Sequence, residues 1–250
     1  MKKTLFSLLA ACSFFLVGCL ENTQEVTINE DGSGTVSYTT DMSAAIGMLK
    51  QMSAAEEMKD LDKGMDTTIA LDKMTDSVPN LSDEEKAIMS KGTMHVNMNM
   101  DKEKLFVRLK FPFKSAAEIV TCDKLSGKMI GEALKGQAML GAGGDEGGSP
   151  DLNGFENYFK TVYSKGKIEK TLIKEKYEKV GEDEAMASLK EGSAMGLGLK
   201  ANYVINLPRP ATKAEGKGIT LSEDKKKVTI AVDMDDFFDE PAKFEFLIEY

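Results

Sequence analysis

The sequence predicts an α+β domain with a largely antiparallel sheet built from hairpins and helices packed on one side. Three observations carry that expectation. Runs with period-two alternation come in neighbouring pairs joined by glycine-bearing turns. Between the pairs lie segments with apolar residues at helical spacing, opened by serine or aspartate caps. The chain also ends in an alternating run, Phe244, Phe246, Ile248 and Tyr250 against Glu245, Leu247 and Glu249, a pattern that belongs inside a sheet.

In chain order, residues 25–30 and 35–40 read as strands around Asp31-Gly32-Ser33-Gly34, where two glycines supply positive φ at little cost. Asp41 caps a helix with Ala45, Met48, Leu49, Met52 and Ala55 on one face and Lys50, Gln51, Glu56 and Glu57 on the other, stopped by Gly64. Ser82 and Glu85 form a capping box for a second helix, with Gly92 beyond its end. Met94, Val96, Met98 and Met100 then alternate with His95, Asn97, Asn99 and Asp101. Leu105, Val107, Leu109 and Phe111 alternate with Arg108 and Lys110, completing a hairpin with one wet face. Ser115 and Glu118 form another capping box, opening a helical stretch that loses definition through Gly127, Gly131 and Gly136. Residues 141–154 are glycine-rich and polar, which predicts a flexible loop. A ribbon around Ser164-Lys165-Gly166-Lys167, a helical region from Lys174 to Met195, and strands near 201–207, 217–221 and 227–232 follow.

The start of the chain has a different character. Lys2 and Lys3 precede an apolar run, Leu5 through Val17, broken by two serines and too short to span a bilayer. The run closes in Leu16-Val17-Gly18-Cys19, which resembles the lipobox of bacterial lipoproteins. The resemblance implies cleavage before Cys19, a diacylglycerol on its sulfur and an acylated amino group. Two or three acyl chains hold a protein on a membrane for practical purposes permanently. The domain organisation expected is a signal peptide over 1–18, a lipid-anchored tether over 19–23, and a single α+β domain over 24–250. The residue after Cys19 is Leu20 rather than aspartate, so the anchor is expected in the outer membrane, on its periplasmic or its surface face.

Removing residues 1–18 takes away two lysines and no acid, so 30 cationic side chains face 41 anionic ones and the net charge is −11. That excess disfavours nucleic acid and direct docking on an anionic lipid surface. With Cys12 removed and Cys19 acylated, Cys122 is left as the free thiol. It falls on the stretch Ala116–Cys122 with helical spacing and reads as a buried small hydrophobe, since its use as a nucleophile needs a neighbouring base and His95 is the one histidine.

Several constellations invite chemistry and yield to plainer readings. Met94, His95, Met98 and Met100 suggest Cu(I), yet on a strand His95 projects opposite to the methionines, which pair as core with Met48 and Met52. Asn29, Asp31, Ser33 and Gly34 match the start of a calcium loop, but Thr40 stands where a bidentate glutamate is needed. Asp233, Asp235, Asp236, Asp239 and Glu240 surround Phe237 and Phe238, and acid runs of this kind are solvated turns unless several carboxylates converge on a cation. No tryptophan offers a sugar platform, no G-x-S-x-G elbow is present, and Gly141-Ala142-Gly143-Gly144 is followed by acid rather than by lysine.

The lipobox followed by a strand bearing Asp31-Gly32-Ser33-Gly34 resembles a broad set of bacterial envelope lipoproteins. The strand-rich C-terminal part is similar to the LppM-like group among them, which implies a lipid or amphiphile binder and transfers no site residue. The expected function is a non-catalytic binding or assembly lipoprotein without a cofactor, attached to the membrane through Cys19 and partnered by an envelope protein or amphiphile. Alternatives are a carrier holding an acyl chain between the sheet and the methionine-bearing helices, and a hydrolase using acidic residues.

Overall fold

Glycine placement decides the first hairpin. Strand β1 (Leu20–Ile28) pairs antiparallel with β2 (Gly34–Asp41), in register from Glu21↔Asp41 to Ile28↔Gly34. Gly32 takes φ +84°, and a Cβ on Gly34 would lie 1.9 Å from the Thr27 carbonyl oxygen, so neither position admits a larger residue without rebuilding the turn. The Asp31 carboxylate accepts from the Ser33 backbone N–H at 3.0 Å and from its hydroxyl at 2.7 Å. That bonding closes a hairpin turn and uses the oxygen a calcium ion would need. The structure, a computed structural model, describes residues 20–44, 64–99, 101–136, 154–194 and 198–250. Cys19, Met100, the methionine-bearing segment behind Asp41 and all but the last residue of the 141–154 stretch lie outside the described residues.

Strand β1 is bonded on both sides. Its second neighbour is β8 (Leu199–Asn206), which runs parallel to it from Leu20↔Leu199 to Thr27↔Asn206. Residues 20–23, expected as tether, are therefore strand, because the β8 ladder extends to Leu20. An eight-stranded sheet is completed by β3 (Met65–Ala70), β4 (Thr93–Asn99), β5 (Lys104–Phe113), β10 (Ile219–Leu221) and β11 (Lys227–Asp233), in the order β10-β11-β8-β1-β2-β5-β4-β3. Apart from β1 with β8, every neighbouring pair is antiparallel. A second, four-stranded sheet has the order β6-β7-β12-β9, from β6 (Phe159–Ser164), β7 (Lys167–Leu172), β9 (Lys213–Gly216) and β12 (Phe246–Glu249). The α+β class stands, with two sheets where one was expected.

Helix α1 (Asp83–Met89) begins with the reciprocal capping box of Ser82 and Glu85. Helix α2 (Ile119–Gly136) runs straight through Gly127 and Gly131, because its buried face of Ile119, Cys122, Leu125 and Met129 outweighs the weak propensity of glycine. The box at its start is shifted by a residue: Ser115 accepts from Ala117 N–H, while Glu118 accepts from Lys114 N–H. The helical region from Lys174 is divided into α3 (Lys174–Tyr177), a 3-10 turn (Val180–Glu182) and α4 (Glu184–Ala194), with Asp183 accepting from the N–H groups of Ala185 and Met186. The expected strand at 217–221 is a junction. Gly216 at φ +148° and Gly218 at φ +74° turn the chain from β9 in the small sheet into β10 in the large one. Phe244 lies in a 3-10 turn, Pro241–Phe244, just after helix α5 (Met234–Asp239), so the last strand starts at Phe246.

One apolar core lies between these parts. It joins Val26, Val36, Leu109, Phe111, Ile205 and Ile230 of the large sheet to Ile168, Phe246 and Ile248 of the small one, with Ile119 and Leu125 of α2. An aromatic cluster of Phe155, Tyr158, Phe159, Tyr177, Phe237 and Phe244 closes the far end, with ring centroids 5.5 to 6.4 Å apart between neighbours. These tilted, stacked and edge-to-face contacts join Phe159 of the small sheet to Phe237 of α5 and to Phe244.

Candidate functional site

Across β2, β1 and β8, the residues facing the core form rows set by the register. One row is Val36, Val26 and Ile205; the next is Tyr38, Gln24 and Tyr203; the last is Thr40, Asn22 and Ala201. The inward face thus passes from apolar to polar toward the end where β1 begins. The small side chains of the last row do not fill the space beneath α2, and a cavity of about 680 Å³ opens there. Its walls are these strand ends, Asp123 and Lys124 of α2, and Phe155 and Glu156 of the 3-10 turn Gly154–Tyr158. Such a volume suits a small organic ligand. The lining is mixed: carboxylates, hydroxyls and amides alternate with Val78, Val120, Ile130, Phe159 and Ile173.

Two carboxylates dominate the chemistry. Asp123 Oδ1 accepts from the Tyr38 hydroxyl and from Gln24 Nε2, the latter at 2.6 Å. Asp123 Oδ2 has no hydrogen-bond partner among the described residues, and Asp123 lines the cavity. Burial pushes this carboxyl up to about 7, with the Tyr38 bond and Lys170 pulling against it and Glu156 adding to it. Burial and then the Asp123 charge hold the Tyr38 phenol well above its ordinary value, which keeps it a donor.

Glu156 sits in a closed triangle. Lys170 Nζ donates to Glu156 Oε2 and to the Tyr203 hydroxyl, both at 2.7 Å, and Tyr203 donates to Glu156 Oε1 at 2.5 Å. Lys170 is 1% exposed. Its ammonium lies 4.3 Å from the Tyr203 ring centre and 4.9 Å from that of Phe159. Burial lowers its affinity for a proton, and Glu156 offsets only part of that loss. Glu156 is accordingly balanced by a cation and Asp123 is not. At the mouth, Lys128 is matched by Glu85 Oε1 at 2.7 Å, whereas Lys124 and Lys176 have no acidic partner among the described residues.

The residues singled out from sequence are elsewhere. Cys122 is buried on α2, its thiol pushed up to about 12 by burial and by neighbouring Asp123, which removes it as a nucleophile. His95 Nε2 lies 2.7 Å from Asp66 Oδ1 on the wet face, opposite Met94 and Met98. Part of the acid run is paired: Asp236 and Glu240 with Lys243 at 2.6 and 3.6 Å, Glu240 with Lys217 at 2.8 Å, and Asp235 accepts from the Ser193 hydroxyl. Among the described residues no group of three His, Cys, Asp or Glu side chains converges as for a metal ion. Among the described residues that line the cavity there is no methionine, and the methionine-bearing helix expected beside an acyl-chain pocket lies outside the described residues. Sequence reasoning passed over Gln24, Asp123, Glu156 and Lys170. The signal existed for two of them: Gln24 is in phase with Val26 and Ile28, and Lys170 with Ile168 and Leu172, polar residues at positions that should be apolar.

No protein-family model matches the chain, and no curated protein matches it. Among solved structures, the NMR structure of the folded domain of LppM from Mycobacterium tuberculosis is similar with a TM-score of 0.35 and 8% identity, covering 92% of this chain and 90% of that one. A likeness at that level carries no argument about function. No helix among the described residues is long and apolar enough to cross a membrane.

Proposed function

We propose that this chain is a lipid-anchored lipoprotein of a bacterial envelope, placed in the outer membrane and acting without catalysis as a binding protein for a small polar or amphiphilic molecule. The observation that carries the binding role is the cavity of about 680 Å³ at the polar ends of β1, β2 and β8, with Asp123 in its wall. The anchor rests on Leu16-Val17-Gly18-Cys19, and the strand that starts at Leu20 leaves almost no free chain between lipid and fold. The reading without catalysis is supported by the partners of the acid: among the described residues the Asp123 carboxylate bonds to Tyr38 and Gln24 and to no serine, threonine or cysteine side chain that it could activate as a nucleophile.

Gly127 provides the test. It lines the cavity, and a Cβ there meets nothing within 4 Å, so Gly127→Leu introduces a bulky side chain from an open position on the cavity wall. Native mass spectrometry of the mature chain purified from membranes should show a non-covalent adduct in the wild type and none in Gly127→Leu. An empty wild type that also binds nothing from a diverse small-molecule panel refutes the binding role. Cys19→Ser should remove the acyl mass and release the chain from membranes; unchanged retention refutes the anchor.

A further inference from the structure

The charges around the cavity do not cancel one another locally, and the imbalance has a direction. Inside, Glu156 is paired with Lys170, whereas Asp123 forms no ion pair among the described residues and feels Lys170 only at a distance. At the mouth, Lys128 is matched by Glu85, whereas Lys124 on α2 and Lys176 on α3 are exposed and lack an acid among the described residues. One uncompensated negative group thus lies deeper than two uncompensated positive ones, in a chain whose overall charge is strongly negative. Resting on the binding role proposed above, we infer that the cavity takes a small zwitterion, with its amine against Asp123 Oδ2 and its acid group at Lys124 and Lys176.

The geometry suits the inner half of that arrangement. Oδ1 of Asp123 is held by Tyr38 and Gln24, so the carboxyl is fixed in orientation before a ligand arrives, and Oδ2 is left without a partner among the described residues in a side chain that lines the cavity. A carboxylate oriented in advance loses little freedom on binding. The aromatic and carboxylate surroundings of Lys170 show the same recognition already carried out within the chain. There an ammonium lies beside Glu156 and over Tyr203, and the ligand amine would stand beside Asp123 in the same way. The two lysines at the mouth admit a carboxylate or a phosphate, so a free amino acid and the phosphoethanolamine head of a phospholipid share the required chemistry.

Proton linkage follows from the same contacts. The groups facing Asp123 are Gln24 from β1, Tyr38 from β2, Tyr163 from β6, Glu156 from the 3-10 turn, Lys170 from β7 and Tyr203 from β8, with Cys122 and Lys124 beside it on α2. Burial and Asp123 keep the tyrosines and the thiol neutral, and Lys170 is tied to Glu156, so Asp123 is the group that changes charge near pH 7. An amine binds its ionised form, which makes affinity climb with pH up to about 7 and level off above it.

The test is titration of the full mature chain with ω-amino acids from glycine to 6-aminohexanoate, alongside hexanoate and hexylamine as single-charge controls. At least one zwitterion should bind about tenfold or more tightly than both controls, and its affinity should rise several-fold between pH 6 and 8. Asp123→Asn should erase that rise and lower affinity at least tenfold. The double variant Lys124→Ala, Lys176→Ala should weaken the zwitterion and leave hexylamine unchanged. Free phosphoethanolamine against vesicles containing the corresponding phospholipid separates a soluble source from a membrane one. Equal binding of zwitterions and controls, or a pH rise that survives Asp123→Asn, overturns the inference. Neutral amphiphiles filling the cavity while zwitterions fail would overturn it and leave the binding role standing; no binding by any probe removes both.

Discussion

The Asp123 carboxyl ties the site to the stability of the chain. Burial lifts it from an ordinary 3.8 to about 7, so between those values the folded chain holds a proton that the unfolded chain has released. Stability from this group is therefore full below pH 4 and lost as pH rises through 7. Asp123→Asn keeps an oxygen for Tyr38 and Gln24 and carries no charge, so it should gain on the wild type as pH rises. We expect a relative gain on the order of 2 kcal/mol at pH 8 over pH 4, after allowing for solvent in the cavity; urea unfolding at the two values measures it. A gain that is the same at both pH values contradicts the raised carboxyl. Lys170 shows the opposite solution to the same problem. Its charge is buried, but it has Glu156, Tyr203 and two aromatic faces, so it stays inside as a bridge between the small sheet and β8.

Helix α2 carries the cavity's acid on one side and the core on the other. Its buried face explains why it persists through glycines that lower the helix preference of the sequence. Gly127 is open to the cavity, so Gly127→Ala should raise stability by about 1 kcal/mol through propensity alone. Ser82→Ala, which removes the reciprocal cap of α1, should lower it by about 1 kcal/mol. Thermal melts of the two variants should move in opposite directions, and a Gly127→Ala that melts lower shows that the glycine is needed for close packing. Elements with local signals were legible in sequence: the Gly32 and Gly166 turns, the Ser82 cap, and the paired runs of β4 and β5. Those decided by distant partners were not. β3 is a short, polar strand that exists because β4 offers an edge, and β9 is assigned to the small sheet by β12.

At the scale of the molecule, the least legible link is the parallel pairing of β1 with β8, since their residues are far apart in sequence and no turn records the contact. It is also the link on which the large sheet depends. β1 stands between β2-β5-β4-β3 and β8-β11-β10, so deleting residues 20–28 cuts the sheet in two. The shortened chain should lose its cooperative unfolding transition and expose its core to an apolar dye, whereas removing residues 1–18 alone should leave the transition intact. A sharp transition after the longer deletion would show that β2 and β8 close the gap themselves. The cavity was hidden for a related reason. Asn22, Thr40 and Ala201 are unremarkable on their own strands, and only the register aligns them into a row too small to fill the space under α2.

Strand β1 begins at the residue after Cys19, and Asn22 stands three residues from that sulfur, a span of about 10 Å along an extended chain. With the proposed acyl chains in place, the fold cannot swing away on a leash. The wall of the cavity at Asn22 then lies within about 10 Å of the proposed anchor along the chain. A guest could then pass between bilayer and protein over a few ångströms, without a journey through open water.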